Sequence, residues 1–214
     1  MQKLKMKNFL LSSLLLFLLS CFKPNVFVPS GKNEILNDSN LKSPFSNGFD
    51  SYFFKTKSYI YGHYLSGLLM IKPFPQNIYR VIFTTEVGIK LFDFEISKDS
   101  FTVHYCLDKL NKKPVLKILE KDFRTLLLSG SEGINANISE NNYEKKFWWK
   151  KDDEIFEYKQ NSNTLEISTI KIYSPKEKPK MHASLENYNK GFPQTIKIIH
   201  DNIKLSIELN FIER

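Results

Sequence analysis

The sequence has 214 residues, 42% of them hydrophobic and 25% charged. That is the composition of a folded domain and excludes a disordered or collagen-like chain. The formal charge of +8 comes from 31 basic against 23 acidic residues, but only Arg80, Arg124 and Arg214 are arginines and the lysines are scattered. Nucleic-acid recognition favours clustered cations and forked guanidinium groups, so this charge does not indicate a nucleic-acid partner.

Residues 1–7 hold three lysines and no acid, and residues 9–19 form an apolar run that ends at Ser20-Cys21. The run is too short to span a bilayer, which takes about 20 residues. With its basic flank it reads as a secretory signal over residues 1–20. The ending Leu18-Leu19-Ser20-Cys21 resembles a bacterial lipoprotein signal, which implies cleavage before Cys21 and acylation of that cysteine. Membrane lipid is then a partner through the anchor. Cys106 is left alone, so the fold is expected to stand without a disulfide. Residues 21–50 are rich in Pro, Asn and Ser and read as a flexible tether ahead of a domain over 51–214.

Eleven β-rich runs follow, at about 53–61, 64–72, 78–85, 89–97, 101–106, 143–149, 154–159, 164–173, 181–188, 194–201 and 203–212. Tyr79, Val81 and Phe83 share one face, and Leu205, Ile207, Leu209 and Phe211 alternate with polar residues in the same way. Short spacers leave little room for crossover helices, so neighbouring strands are expected to pair antiparallel. Residues 114–128 break the pattern, because Val115, Leu119, Phe123 and Leu126 fall at helical spacing behind Pro114. Ser129 to Asn142 reads as an internal loop.

The order of elements resembles the LolA/LolB-like superfamily of periplasmic lipoprotein carriers and receptors. The resemblance is carried by Gly67-Leu-Leu-Met-Ile71 leading into Tyr79-Arg-Val-Ile-Phe83, and by residues 192–201 followed by 203–209. Residues 85–94 look like a smaller lipoprotein subfamily without assigned activity. The resemblance implies a mainly β fold, a strongly curved, unclosed barrel of about eleven antiparallel strands with the helix 114–128 over its concave face. It also implies acyl-chain handling there, with Tyr79, Val81, Phe83, Leu119 and Phe123 as the expected lining. Val87 stands at the turn where LolB-like receptors expose an apolar residue to lipid. Trp148 and Trp149 are further candidates for membrane or partner contact; one should face the core and the other outwards.

No metal site, cofactor or catalytic residue is expected. The four histidines fall on different strands, no Gly-x-Ser-x-Gly elbow is present, and Asp152-Asp153-Glu154 reads as a solvated hairpin. The expected protein is a monomeric, non-catalytic envelope lipoprotein that binds an acyl chain or the lipid moiety of another lipoprotein. The alternative is an envelope scaffold whose core is filled by its own side chains. Phe22 after Cys21 lacks the acidic residue linked to inner-membrane retention, which favours the outer membrane, facing the periplasm.

Overall fold

The computed structural model describes residues 31–213 apart from 47, 49 and 61; the expected signal segment and Cys21 lie outside them. The described chain builds β1 (Lys32–Ile35), β2 (Tyr52–Ile60), β3 (His63–Phe74), β4 (Ile78–Thr85), β5 (Lys90–Ile96) and β6 (Phe101–Cys106). Helix α1 (Lys113–Leu127) comes next. The remaining strands are β7 (Asn135–Glu140), β8 (Glu144–Lys151), β9 (Glu154–Asn161), β10 (Ile167–Tyr173), β11 (Pro179–Asn189), β12 (Phe192–His200) and β13 (Leu205–Phe211).

All thirteen strands form one antiparallel, unclosed sheet in the order β1-β7-β8-β9-β10-β11-β12-β13-β2-β3-β4-β5-β6. Two meanders, β2–β6 and β7–β13, are joined where β13 pairs with β2, Leu209 opposite Thr56 and Leu205 opposite Ile60. In most strands alternation places one face inside. In β2, Tyr52, Phe54, Thr56, Ser58 and Ile60 are buried while Lys55, Lys57 and Tyr59 face out. The sheet curls around this apolar face, and α1 lies within the curve.

Two expectations are corrected. The tether expected over residues 21–50 ends early, because β1 pairs with β7 and Leu36, Leu41 and Phe45 are buried. Phe45, on a single 3-10 turn at Pro44–Ser46, is fully buried with ring centroids 5.1 Å from Tyr52 and 5.6 Å from Phe192. The loop expected over 129–142 contains β7, whose Ala136 and Ile138 enter the core. The count of strands therefore rises from eleven to thirteen, and the two additions pair with each other.

Removing a wholly buried aromatic ring costs about 3–5 kcal/mol. Phe45→Ala is expected to destabilise the domain by that amount in equilibrium urea unfolding. A change below about 1 kcal/mol would mean that this segment is a tether after all.

Candidate ligand-binding cleft beneath the helix

Helix α1 carries Pro114 in its first turn, where a missing N–H costs nothing, and stops at Leu128 in the left-handed conformation (φ 56°). The Leu128 and Ser129 N–H groups close the last turn on the carbonyls of Thr125 and Arg124. Val115, Leu119, Phe123, Leu126 and Leu127 form its buried stripe. Phe123 meets Phe92 edge-on at 5.9 Å, and Phe92 stacks on Phe94 at 4.4 Å.

The residues expected to line a groove do not line one. Val81, Phe83, Leu119 and Phe123 are packed wholly inside, and Tyr79 only borders a minor cleft near Leu36. The β2–β6 side of the concave face is filled by the protein's own rings. The opening lies instead on the other side of α1, toward β8 and β9.

There, a cleft of about 570 Å³ separates α1 from the β8–β9 hairpin. This is within the usual range of about 300–1,000 Å³ for small-molecule sites. Its floor is a stack of three rings, with Trp149 5.6 Å from Phe156 and 4.9 Å from Tyr158, each near-parallel. The hairpin register sets this stack, since Trp149 lies directly opposite Phe156 and Phe147 opposite Tyr158. Tyr158 donates its hydroxyl hydrogen to the Thr125 carbonyl at 2.7 Å, which fixes the helix at one depth above the floor. A smaller cleft of about 260 Å³, lined by Ile118, Ile172, Met181 and Ile203, adjoins it.

Between the two clefts runs a bridge of charge. Glu154 is buried and accepts from Lys121 of α1 at 2.6 Å and from Lys180 of β11. Burial alone would raise its carboxyl, but the two ammonium groups hold it below the ordinary carboxylate range. The Asp152-Asp153-Glu154 hairpin is thus only partly solvated: Asp152 and Asp153 are exposed in left-handed turn positions, but Glu154 is not. Next to this bridge, Asp122 of α1 is fully buried and meets His200 Nε2 at 2.9 Å. Burial pushes the Asp122 carboxyl up and His200 opposes the shift. Arg124 pairs with Glu120 and donates to the Ser97 and Lys98 carbonyls, tying the β5–β6 turn to the helix.

The remaining candidates separate cleanly. Val87 is 83% exposed on the β4–β5 turn, beside exposed Ile89. Trp149 faces inward and is buried, so it is corrected from surface contact to cleft floor; Trp148 lies on the opposite face, half-buried. Cys106 is half-buried with its thiol raised by burial and by Asp108, unlike a reactive thiolate. Among the described residues no cluster of three His, Cys, Asp or Glu side chains could hold a metal.

Comparison with solved structures finds this architecture elsewhere. A LolA superfamily protein from Nitrosomonas europaea matches over 84% of this chain and 93% of its own, with a TM-score of 0.51 at 10% identity. The fold is LolA-like. A DUF1329 family protein from Desulfovibrio piger matches over 78% of this chain and 85% of its own, at 8% identity and a TM-score of 0.47. A putative outer membrane lipoprotein-sorting protein domain from Vibrio parahaemolyticus has the same coverages, at 7% identity and a TM-score of 0.42. No family model matches the sequence, and no curated protein does.

The LolA-like arrangement leaves α1 held by buried charge, and that charge is testable. A carboxyl lowered in the folded state stabilises fully at neutral pH and loses its contribution as pH falls through its folded value. The difference in urea midpoint between the natural protein and Glu154→Gln is therefore expected to be largest near pH 7 and to shrink below about pH 4. A pH-independent difference would show that the Lys121–Glu154–Lys180 bridge does not hold α1. Asp122→Ala leaves His200 without its buried hydrogen-bond partner and is expected to cost about 1–3 kcal/mol in the same assay at neutral pH; a loss below about 0.5 kcal/mol would show that the Asp122–His200 contact does not hold the helix.

Proposed function

We propose that this chain is a lipid-anchored protein of the cell envelope that holds an acyl chain, free or on another lipoprotein, without catalysis. The cleft between α1 and the β8–β9 hairpin carries this reading: it is floored by Trp149, Phe156 and Tyr158 and continues into an apolar annex across the Glu154 bridge. Each methylene buried there contributes about 0.8 kcal/mol, so one chain can be retained by burial alone. The LolA-like fold supports the reading. The anchor is Cys21, acylated after cleavage behind Ser20, and Phe22 favours the outer membrane, facing the periplasm. Val87 and Ile89, exposed together on one turn, suit contact with a bilayer or a partner. The protein acts as a monomer in this scheme.

The filled β2–β6 side supports a second reading, a scaffold with no ligand. In that case Tyr79, Val81, Phe83, Leu119 and Phe123 complete the core and the cleft is only a surface depression.

Two measurements decide. The full chain is expected to bind cis-parinaric acid with a rise in the fluorescence of that fatty acid, and Trp149→Ala to weaken binding at least tenfold. Undiminished binding by the variant would place the acyl chain elsewhere, and no binding by the natural chain would favour the scaffold. Metabolic labelling with a palmitate analogue should mark the natural chain and not Cys21→Ser, and equal labelling of both would reject the anchor.

A further inference from the structure

The mouth of the cleft has a sign. Lys98 on the β5–β6 turn, Lys117 on α1 and Lys151 at the end of β8 all border it. None of the three makes an ion pair among the described residues. They come from three different elements. Lys98 and Lys151 converge on Gly130, which is in the left-handed region (φ 80°): a side chain there would meet the Lys98 carbonyl at 3.3 Å and Lys151 Nζ at 3.6 Å. Glycine at this position leaves open the gap between the two lysines.

The neighbouring charges do not cancel the three. Arg124 is neutralised by Glu120 and occupied by the Ser97 and Lys98 carbonyls, which holds Lys98 at the rim. Lys121 and Lys180 share the single carboxylate of Glu154, so that bridge keeps one positive charge in excess. Asp152 and Asp153 border the same cleft at the hairpin tip and are exposed. They limit the excess, so the mouth suits one compact anionic head and disfavours a polyanion. Three lysines that border one cleft with no ion pair among the described residues leave it a positive excess, and an anion at its rim offsets that excess while its chain lies on the aromatic floor.

From this juxtaposition we infer that the cleft selects an anionic amphiphile, its carboxylate or phosphate head on the cationic rim that Lys98, Lys117 and Lys151 border and its acyl chain over Trp149, Phe156 and Tyr158. The inference rests on the acyl-cleft reading above and adds the class of head group. The head is held by charge and the chain by burial, so neither a free anion nor an uncharged alkyl chain satisfies both halves of the site.

The test uses the full chain in phosphatidylcholine nanodiscs, with Trp148→Phe in every sample so that Trp149 alone reports, and with partition into empty nanodiscs subtracted. Tetradecyl phosphate, myristate, tetradecanol and tetradecyltrimethylammonium share one chain length and differ in charge. Both anions are expected to bind at least tenfold more tightly than the alcohol, and the cation more weakly than the alcohol. Whichever anion binds more tightly identifies the head as phosphate or carboxylate. The triple variant Lys98→Gln/Lys117→Gln/Lys151→Gln should bring both anions to the level of tetradecanol. Lys55→Gln/Lys57→Gln/Lys72→Gln, which removes the same charge from the convex face, should leave the preference intact. Inorganic phosphate at equal concentration should not compete. Equal affinity for all four amphiphiles would overturn the head-group inference and leave the acyl cleft standing, whereas failure of every amphiphile to bind would remove both. Loss of the preference in the convex-face variant would show net charge to be its cause, and competition by inorganic phosphate would show recognition of the head alone; either result overturns the inference.

Discussion

The structure depends on a single connection. Strands β2 and β13 pair in the middle of the sheet, so among the described residues β6 and β1 become its two edges and β7 lies next to the far one. The chain leaving β6 must therefore travel from one edge to the other before β7 can begin. It does so as α1, a helix of 15 residues and about 22 Å, laid across the concave face. A loop on that path would bring unpaired backbone polar groups into the core, whereas a helix satisfies its own and offers an apolar stripe to the sheet.

A helix that must cross a curved sheet cannot touch both halves of it equally. On the β2–β6 side, Phe123, Phe92 and Phe94 close the space with ring contacts. On the β8–β12 side the contacts are polar and discrete: the Tyr158 hydroxyl, the Glu154 bridge and the Asp122–His200 pair. Discrete contacts act as pillars, and pillars leave gaps between them. The fill on one side and the opening on the other thus follow from the chemistry of the two faces of α1. A buried bridge of charge such as that at Glu154 is a weak source of stability, because desolvation offsets most of its attraction. Its effect here is to fix the height and register of the helix.

The alternation of large apolar residues makes β2 to β6 and β8 to β13 legible in the amino-acid sequence alone, and helical spacing does the same for α1. Strands β1 and β7 are not legible there, and the reason is local. The segment Lys-Asn-Glu-Ile of β1 is exposed along its whole length, and β7 offers only Ala136 and Ile138 among Asn, Ser and Glu. Such residues are poor strand formers, and the two segments are strands because they pair with each other across about a hundred residues of chain. The cleft is hidden for a related reason. Tyr79, Val81 and Phe83 share a face, which a sequence shows, but whether that face meets a void or Phe123 is decided by the path of α1. Trp149 is visible as one of an alternating pair, whereas its stacking partners Phe156 and Tyr158 require the register of the β8–β9 hairpin. The rim lysines at 98, 117 and 151 have no common pattern in the sequence at all.

The early start of the sheet also sets a length. With Cys21 acylated as proposed, about eleven peptide units separate the anchor from Lys32, the first paired residue among those described. Even fully extended they reach only about 36–40 Å. A tether running to residue 50 would have allowed about 100 Å. Because β1 is hydrogen-bonded to β7 and Phe45 seals the segment behind it, the later residues cannot be released to lengthen the leash. With that anchor the domain's working volume would be a shell against its own bilayer, and a lipid exchanged as proposed would have to pass through that shell.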